Sequence, residues 1–124
     1  MIRLVLVDDQ SVVRRGLRRR LLLEPDITVV GEASSGREAL TLVPHLAPDV
    51  VLMDVAMPGM DGIAATAALH RMVPQSTVVM LSIHDDAQTR GRTQEAGAAA
   101  FVHKNGAIEN LLTTIRQAAK SEQM

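Results

Sequence analysis

The stretch "IRLVLVDDQ", residues 2–10, runs almost without interruption through apolar residues and then stops on two adjacent carboxylates, Asp8 and Asp9. A strand with one wet face alternates apolar and polar side chains, whereas a near-continuous apolar run is the pattern of a strand covered on both faces. An unpaired carboxylate is costly to bury and tends to hold its proton instead. The run is therefore expected to end where something positive is waiting.

The same pattern recurs outward along the chain, in "ITVVGEA" at 27–33, "DVVLMD" at 49–54, "STVVMLS" at 76–82 and "AAAFVHK" at 98–104. The stretches between are long enough for crossover helices. Residues 35–47 open with Ser35 and Glu38 at capping-box spacing, and the helix near 11–24 sets Val13, Leu17 and Leu21 on one face. Residues 62–73 are Ala-rich with Ile63 and Met72, and the last segment aligns Ile108, Leu111, Leu112 and Ile115 behind Asn105 as the expected N-cap. Strand and helix in alternation predict an α/β fold, a parallel sheet with helices on both faces. One segment departs from this pattern. "DDAQTRGRTQEAG", 85–97, is polar nearly all round with Gly91 at its middle, so a fourth helix there is expected to be loosely attached.

Composition narrows the function. A chain of 124 residues with 47% hydrophobic content suits one core, read as one domain over 1–120 with 121–124 as a tail or the start of a linker. Lys and Arg number 13 against 14 Asp and Glu, so no global field draws the chain to nucleic acid or an anionic membrane. Cysteine is absent, which removes disulfides, thiolate metal sites and thiol nucleophiles. The apolar runs are too short to span a bilayer and no secretory segment opens the chain; the expectation is a cytoplasmic protein with no membrane partner. A single Phe, without Trp or Tyr, leaves no platform for stacking bases.

In an open parallel sheet, ligands bind beyond the carboxyl ends of the strands. Those ends carry Asp8 and Asp9, Asp54, Ser82 and Lys104. Taken singly, each is an ordinary turn former, strand-end hydroxyl or surface amine. Together they place three acids, a hydroxyl and a lysine on one edge of one sheet. Acids sharing a crevice must hold a proton or bind a cation, and hard oxygen donors without Cys or His point to Mg²⁺.

"VDDQ", "LMDVAMPGMDG", "MLS" and "FVHK" occur in the order and spacing that resemble a response-regulator receiver domain across essentially the whole chain. "VDDQSVVRRGL" and "AGAAAFVHKNGAIENLLTTIR" further resemble the NarL/FixJ (LuxR-type) subfamily. The resemblance implies a doubly wound, five-stranded, flavodoxin-like (βα)5 sheet of order 2-1-3-4-5. It implies Asp54 as phosphoacceptor from a sensor histidine kinase, with Mg²⁺ or Mn²⁺ held by Asp9, Asp54 and the Ala56 carbonyl and by Asp8 through water. Lys104 and Ser82 would contact the phosphoryl group, and Ser82 with Phe101 would form a switch acting on the face of helix 4, strand 5 and helix 5. Met57, Pro58 and Gly62 fall in the loop after Asp54, where Pro fixes φ and Gly permits tight turns.

Some positions differ from the usual pattern. Asn105 follows the lysine where many members of that family have Pro, Ile83 stands where the family usually has a small residue, and Ala56 and His84 occupy the positions to which the resemblance assigns modulation of phosphoryl loss. The arginines of "RRGLRRR", with Arg14 and Arg18 and then Arg15 and Arg19 as like charges at i, i+4, read as a solvated helix face or a docking surface for the kinase. The resemblance also implies a homodimer on phosphorylation, and DNA contact only through a separate C-terminal helix-turn-helix. A competing reading, a Mg²⁺-dependent phosphohydrolase with an aspartyl nucleophile, wants a second acid two residues after Asp54, where this chain has Ala56. A nucleotide or flavin binder would need a glycine-rich phosphate loop, and none is present.

Overall fold

The computed structural model describes residues 1–57 and 59–122, with side chains described through residue 120. Strands and helices alternate throughout: β1 (Ile2–Val7), α1 (Ser11–Leu21), β2 (Ile27–Ala33), α2 (Gly36–Leu46), β3 (Val50–Asp54), α3 (Gly62–Met72), β4 (Thr77–Ser82), α4 (Ala87–Glu95), β5 (Ala100–His103) and α5 (Ile108–Glu122). All pairings are parallel, in the order β2-β1-β3-β4-β5, so β1 lies between β2 and β3. The doubly wound, flavodoxin-like fold expected from the motifs is the one found.

Covering on both faces explains the unbroken apolar runs. Along β1, Leu4 and Leu6 face one layer, where they join Leu52, Val79 and Leu81 beneath Leu21 of α1 and Leu111, Leu112 and Ile115 of α5. Val5 and Val7 face the other, with Val51, Met53 and Met80 beneath Ala39 and Val43 of α2 and Ala65 and Leu69 of α3. Adjacent residues of a strand point to opposite faces, so two cores require an apolar residue at every position.

The helix starts follow local chemistry. Ser35 Oγ accepts from the Glu38 N–H at 3.1 Å, as the capping spacing predicts, while the Glu38 carboxylate accepts from the Ser34 N–H and hydroxyl, one residue earlier than a reciprocal capping box would have it. α1 ends at Leu21 and not at 24, leaving Leu22 and Leu23 more than 70% exposed. Contrary to the expectation from sequence, Asn105 does not cap the last helix: α5 begins at Ile108, and residues 103–106 form a turn in which His103 accepts through Nδ1 from the Asn105 N–H and through its carbonyl from the Gly106 N–H. A cap must adjoin the first helical turn, and this turn displaces Asn105 from that position.

α4 is as poorly buried as its composition implies, since Thr93 is its one buried residue. Its start is nevertheless well capped, by Asp86 accepting from the Thr89 N–H at 2.7 Å and hydroxyl at 3.0 Å. Of the expected tail, 121 and 122 continue the backbone of α5, and 123–124 lie outside the described residues, as does Pro58. Among the described residues no helix is long and apolar enough to cross a membrane.

Candidate functional site

The sheet order brings the carboxyl ends of β1 and β3 side by side. Val7 pairs with Met53, so Asp8 and Asp54 emerge at adjacent strand ends. Among the described residues, Asp8, Asp9 and Asp54 are the acids that each offer a ligand oxygen within 4.8 Å of one another. Asp8 and Asp54 are buried, at 2% and 5% exposure, and Asp9 is exposed. The positive group anticipated from the sequence is Lys104 at the end of β5, whose Nζ lies 2.9 Å from Asp8 Oδ2 and 3.3 Å from Asp54 Oδ2.

One ammonium does not satisfy this cluster. Asp8 Oδ1 accepts from the Gln10 N–H at 2.9 Å and Asp54 Oδ1 from the Ala56 N–H at 3.3 Å. Asp8 Oδ2, however, is buried without an aligned hydrogen-bond donor, the Lys104 contact being an ion pair off the hydrogen-bonding line. Burial, and then the charge of Asp8, push the Asp54 carboxyl above its ordinary pKa, with Lys104 opposing them. Burial pulls the Lys104 ammonium down, but its contact with Asp8 and the charges of Asp54 and Asp8 outweigh this and hold it above its usual value. Three carboxylates against one lysine, with Asp8 Oδ2 lacking an aligned donor, form a donor set that fits a hard divalent cation.

An open cleft of about 400 Å³ lies over these groups, lined by Asp9, Asp54, Ala56, Ser82, His84 and Lys104 among others. Ser82 is buried, its Oγ accepts from the His84 N–H at 2.9 Å, and its carbonyl accepts from the Lys104 N–H at 2.8 Å. Ile83 also lines the cleft and is 56% exposed. Gly62 sits so close to the end of β3 that a Cβ there would lie 1.8 Å from the Asp54 carbonyl oxygen, and its N–H donates to the Val55 carbonyl at 2.9 Å. This close approach requires glycine, whatever the turn. Met57 is buried in the core layer beneath α2 and α3.

Phe101 is not in the cleft. It pairs in register with Met80, packs half-buried against the core beneath α3, and carries the Arg90 guanidinium 4.7 Å above its ring centroid. Nor are Arg14 and Arg18 free charges on a solvated face, because both pair with Glu32 of β2. Local sequence does not announce that partner, since Glu32 belongs to another element and meets α1 only through the strand order. Gln10 was likewise missed, because its contribution is a backbone N–H that any residue but proline supplies.

Comparison with known proteins agrees with this geometry. The response regulator receiver domain model matches residues 4–116. The chain is 41% identical over 122 residues to the transcriptional regulatory protein LiaR of Bacillus subtilis, covering 98% of this chain and 58% of that protein. It is 40% identical over 116 residues to the response regulator UvrY of Escherichia coli, covering 94% and 53%. The chain thus spans little more than half the length of the curated relatives it matches. Among solved structures it resembles the signal receiver domain of NarL from Mycobacterium tuberculosis, with a TM-score of 0.90, 36% identity and 96% of each chain covered. A LuxR-family two-component response regulator from Aurantimonas superposes with a TM-score of 0.93 at 31% identity, over 98% of this chain and 86% of that one. An acidic cleft at the switch point of a β2-β1-β3-β4-β5 sheet, and relatives of this kind, lead to one conclusion: the chain belongs to the response regulator receiver domain family, in its NarL/FixJ (LuxR-type) branch.

Proposed function

We propose that the chain is the phosphoacceptor module of a two-component response regulator, taking a phosphoryl group onto Asp54 from a phosphohistidine of a sensor histidine kinase. The observation that carries this reading is the meeting of Asp8, Asp9 and Asp54 around Lys104 at the mouth of one cleft. Asp9, Asp54 and the Ala56 carbonyl would hold Mg²⁺ or Mn²⁺, with Asp8 acting through water. The ion supplies charge neutralisation for an anionic nucleophile meeting an anionic phosphoryl group.

An Asp54 carboxylate oxygen forms the new bond to phosphorus. The phosphorus–nitrogen bond of the donor breaks, and its electron pair returns to the imidazole. Lys104 supplies a positive charge to the phosphoryl oxygens and Ser82 a hydroxyl donor, so the protein contributes positioning and electrostatics. Ser82 Oγ accepts from the His84 N–H, so a shift of the hydroxyl toward the new group draws the β4–α4 loop with it. Phe101, beside the sparsely buried α4, is then free to change rotamer and alter the α4-β5-α5 face, on which a homodimer would assemble. Ala56, which offers no side chain to orient a water, and His84 set the lifetime of the phosphorylated state. The module would act in the cytoplasm, with contact to DNA made by a separate C-terminal helix-turn-helix output domain.

Incubation with acetyl phosphate and Mg²⁺ followed by intact mass measurement tests this. One phosphoryl adduct per chain, absent in Asp54→Asn and without Mg²⁺, is expected. Sustained release of phosphate with no adduct would point instead to a phosphohydrolase. No reaction at all would overturn the assignment of Asp54.

A further inference from the structure

Asp8 meets a partner at its N–H and at each carboxylate oxygen, although at Oδ2 that partner is an ion pair without an aligned hydrogen bond. Its N–H donates to the Ala33 carbonyl of β2 at 3.1 Å, Oδ1 accepts from Gln10, and Oδ2 faces Lys104. The remaining acceptor is its backbone carbonyl, at the point where β1 ends. Arg14 takes it, with Nη1 donating at 2.5 Å, while Nε of the same guanidinium donates to Glu32 Oε1 at 3.3 Å. Arg18, one turn later, also pairs with Glu32 and has no bond to Asp8. The two arginines differ in setting as well: the Arg14 side chain is 19% exposed and that of Arg18 is 45% exposed.

We propose that Arg14 is a positioning residue of the acidic site, its guanidinium anchored on Glu32 and holding the Asp8 carbonyl so that β1 presents Asp8 and Asp9 to the cation. The geometry supplies the reason. The Asp8 carbonyl and the Asp9 nitrogen belong to one rigid peptide plane, so orienting that carbonyl fixes the plane from which Asp9 departs. A guanidinium has donors in a fixed fork, and here one reaches the carbonyl while another is tied to a neighbouring strand. A lysine amine has no such fork. Groups that orient metal ligands without touching the metal typically change affinity by 10- to 100-fold when removed.

The inference rests on the Mg²⁺ reading above, and its sign separates it from simple electrostatics. Arg14 is a cation beside a cation site, so loss of its charge alone would tighten Mg²⁺ binding. Loss of positioning weakens it. Mg²⁺ titration followed by amide shifts, with melting temperatures recorded alongside, should show Arg14→Ala and Arg14→Lys binding about tenfold more weakly than the parent chain. Arg18→Ala, which removes the other bond to Glu32, should leave affinity unchanged. Arg14→Lys gives the reading should the alanine variant fail to fold. Affinity equal to or tighter than the parent in both Arg14 variants overturns the inference, as does equal weakening in Arg18→Ala. A parent chain with no saturable Mg²⁺ binding overturns both the inference and the site assignment, whereas normal parental binding with unaffected Arg14 variants overturns the inference alone.

Discussion

Asp54 carries the site's electrostatic strain. Its carboxyl is raised by burial and by the charge of Asp8 beyond what Lys104 can offset, so in the cation-free protein the ionised form is less comfortable folded than unfolded. Between the ordinary aspartate value of 3.8 and its raised folded value, the folded state binds the extra proton, and stability falls as pH rises through that window. Asp54→Asn lacks this loss. In a chelator-containing buffer it should melt above the parent chain at neutral pH, with the gap closing as pH is lowered below the ordinary aspartate value. Adding Mg²⁺ should raise the melting temperature of the parent more than that of the variant, because a ligand stabilises the state that binds it. A variant that melts below the parent at neutral pH without Mg²⁺ would contradict the raised carboxyl.

At the scale of the element, α4 is the outlier. The other helices bury apolar faces against the sheet, whereas α4 rests on Thr93, on the Asp86 cap and on Arg90, which lies over Phe101 and pairs with Asp85. An exposed ion pair contributes little, and a capping bond about 1 kcal/mol. Little burial holds this helix, which suits an element that changes arrangement when the cleft is occupied. Backbone amides of 87–95 should therefore exchange quickly in the unmodified protein and slow on addition of beryllium fluoride with Mg²⁺, measured by hydrogen–deuterium exchange. Strong protection in both states would remove α4 from the switching surface.

Over the whole molecule, stability and function occupy different regions. Ile115 is fully buried at the centre of the layer formed by α1 and α5 with the sheet, away from the carboxyl-end cleft. Truncating such a residue costs roughly 2–5 kcal/mol. Ile115→Ala should lower the urea midpoint accordingly, while the folded fraction still acquires the Asp54 phosphoryl adduct. An adduct lost in fully folded protein would show that this layer is coupled to the site. The outer end of the same layer is stapled by Arg116, which bonds Asp26 at 2.9 Å and Glu24 at 2.7 Å across the α1–β2 turn. Arg116 at Asp26, and Arg20 and Arg116 at Glu24, hold both carboxyls below their usual range. The contribution of this staple is thus present at neutral pH and fades as acid protonates the pair.

The apolar runs ending in "VDD", "LMD", "MLS" and "VHK" determined the strands, their burial on both faces and the chemistry at their ends, because those depend on composition and short spacing alone. Ser35 and Glu38 announced α2 for the same reason. Tertiary structure alone decided what depends on which elements become neighbours. It placed Glu32 against Arg14 and Arg18, left Asp8 Oδ2 without an aligned donor, displaced Asn105 from the start of α5 and drew Phe101 under Arg90. Local sequence sets a residue's own conformation and its neighbours along the chain. Partners from distant segments are set by strand order and register, which one residue's chemistry does not encode.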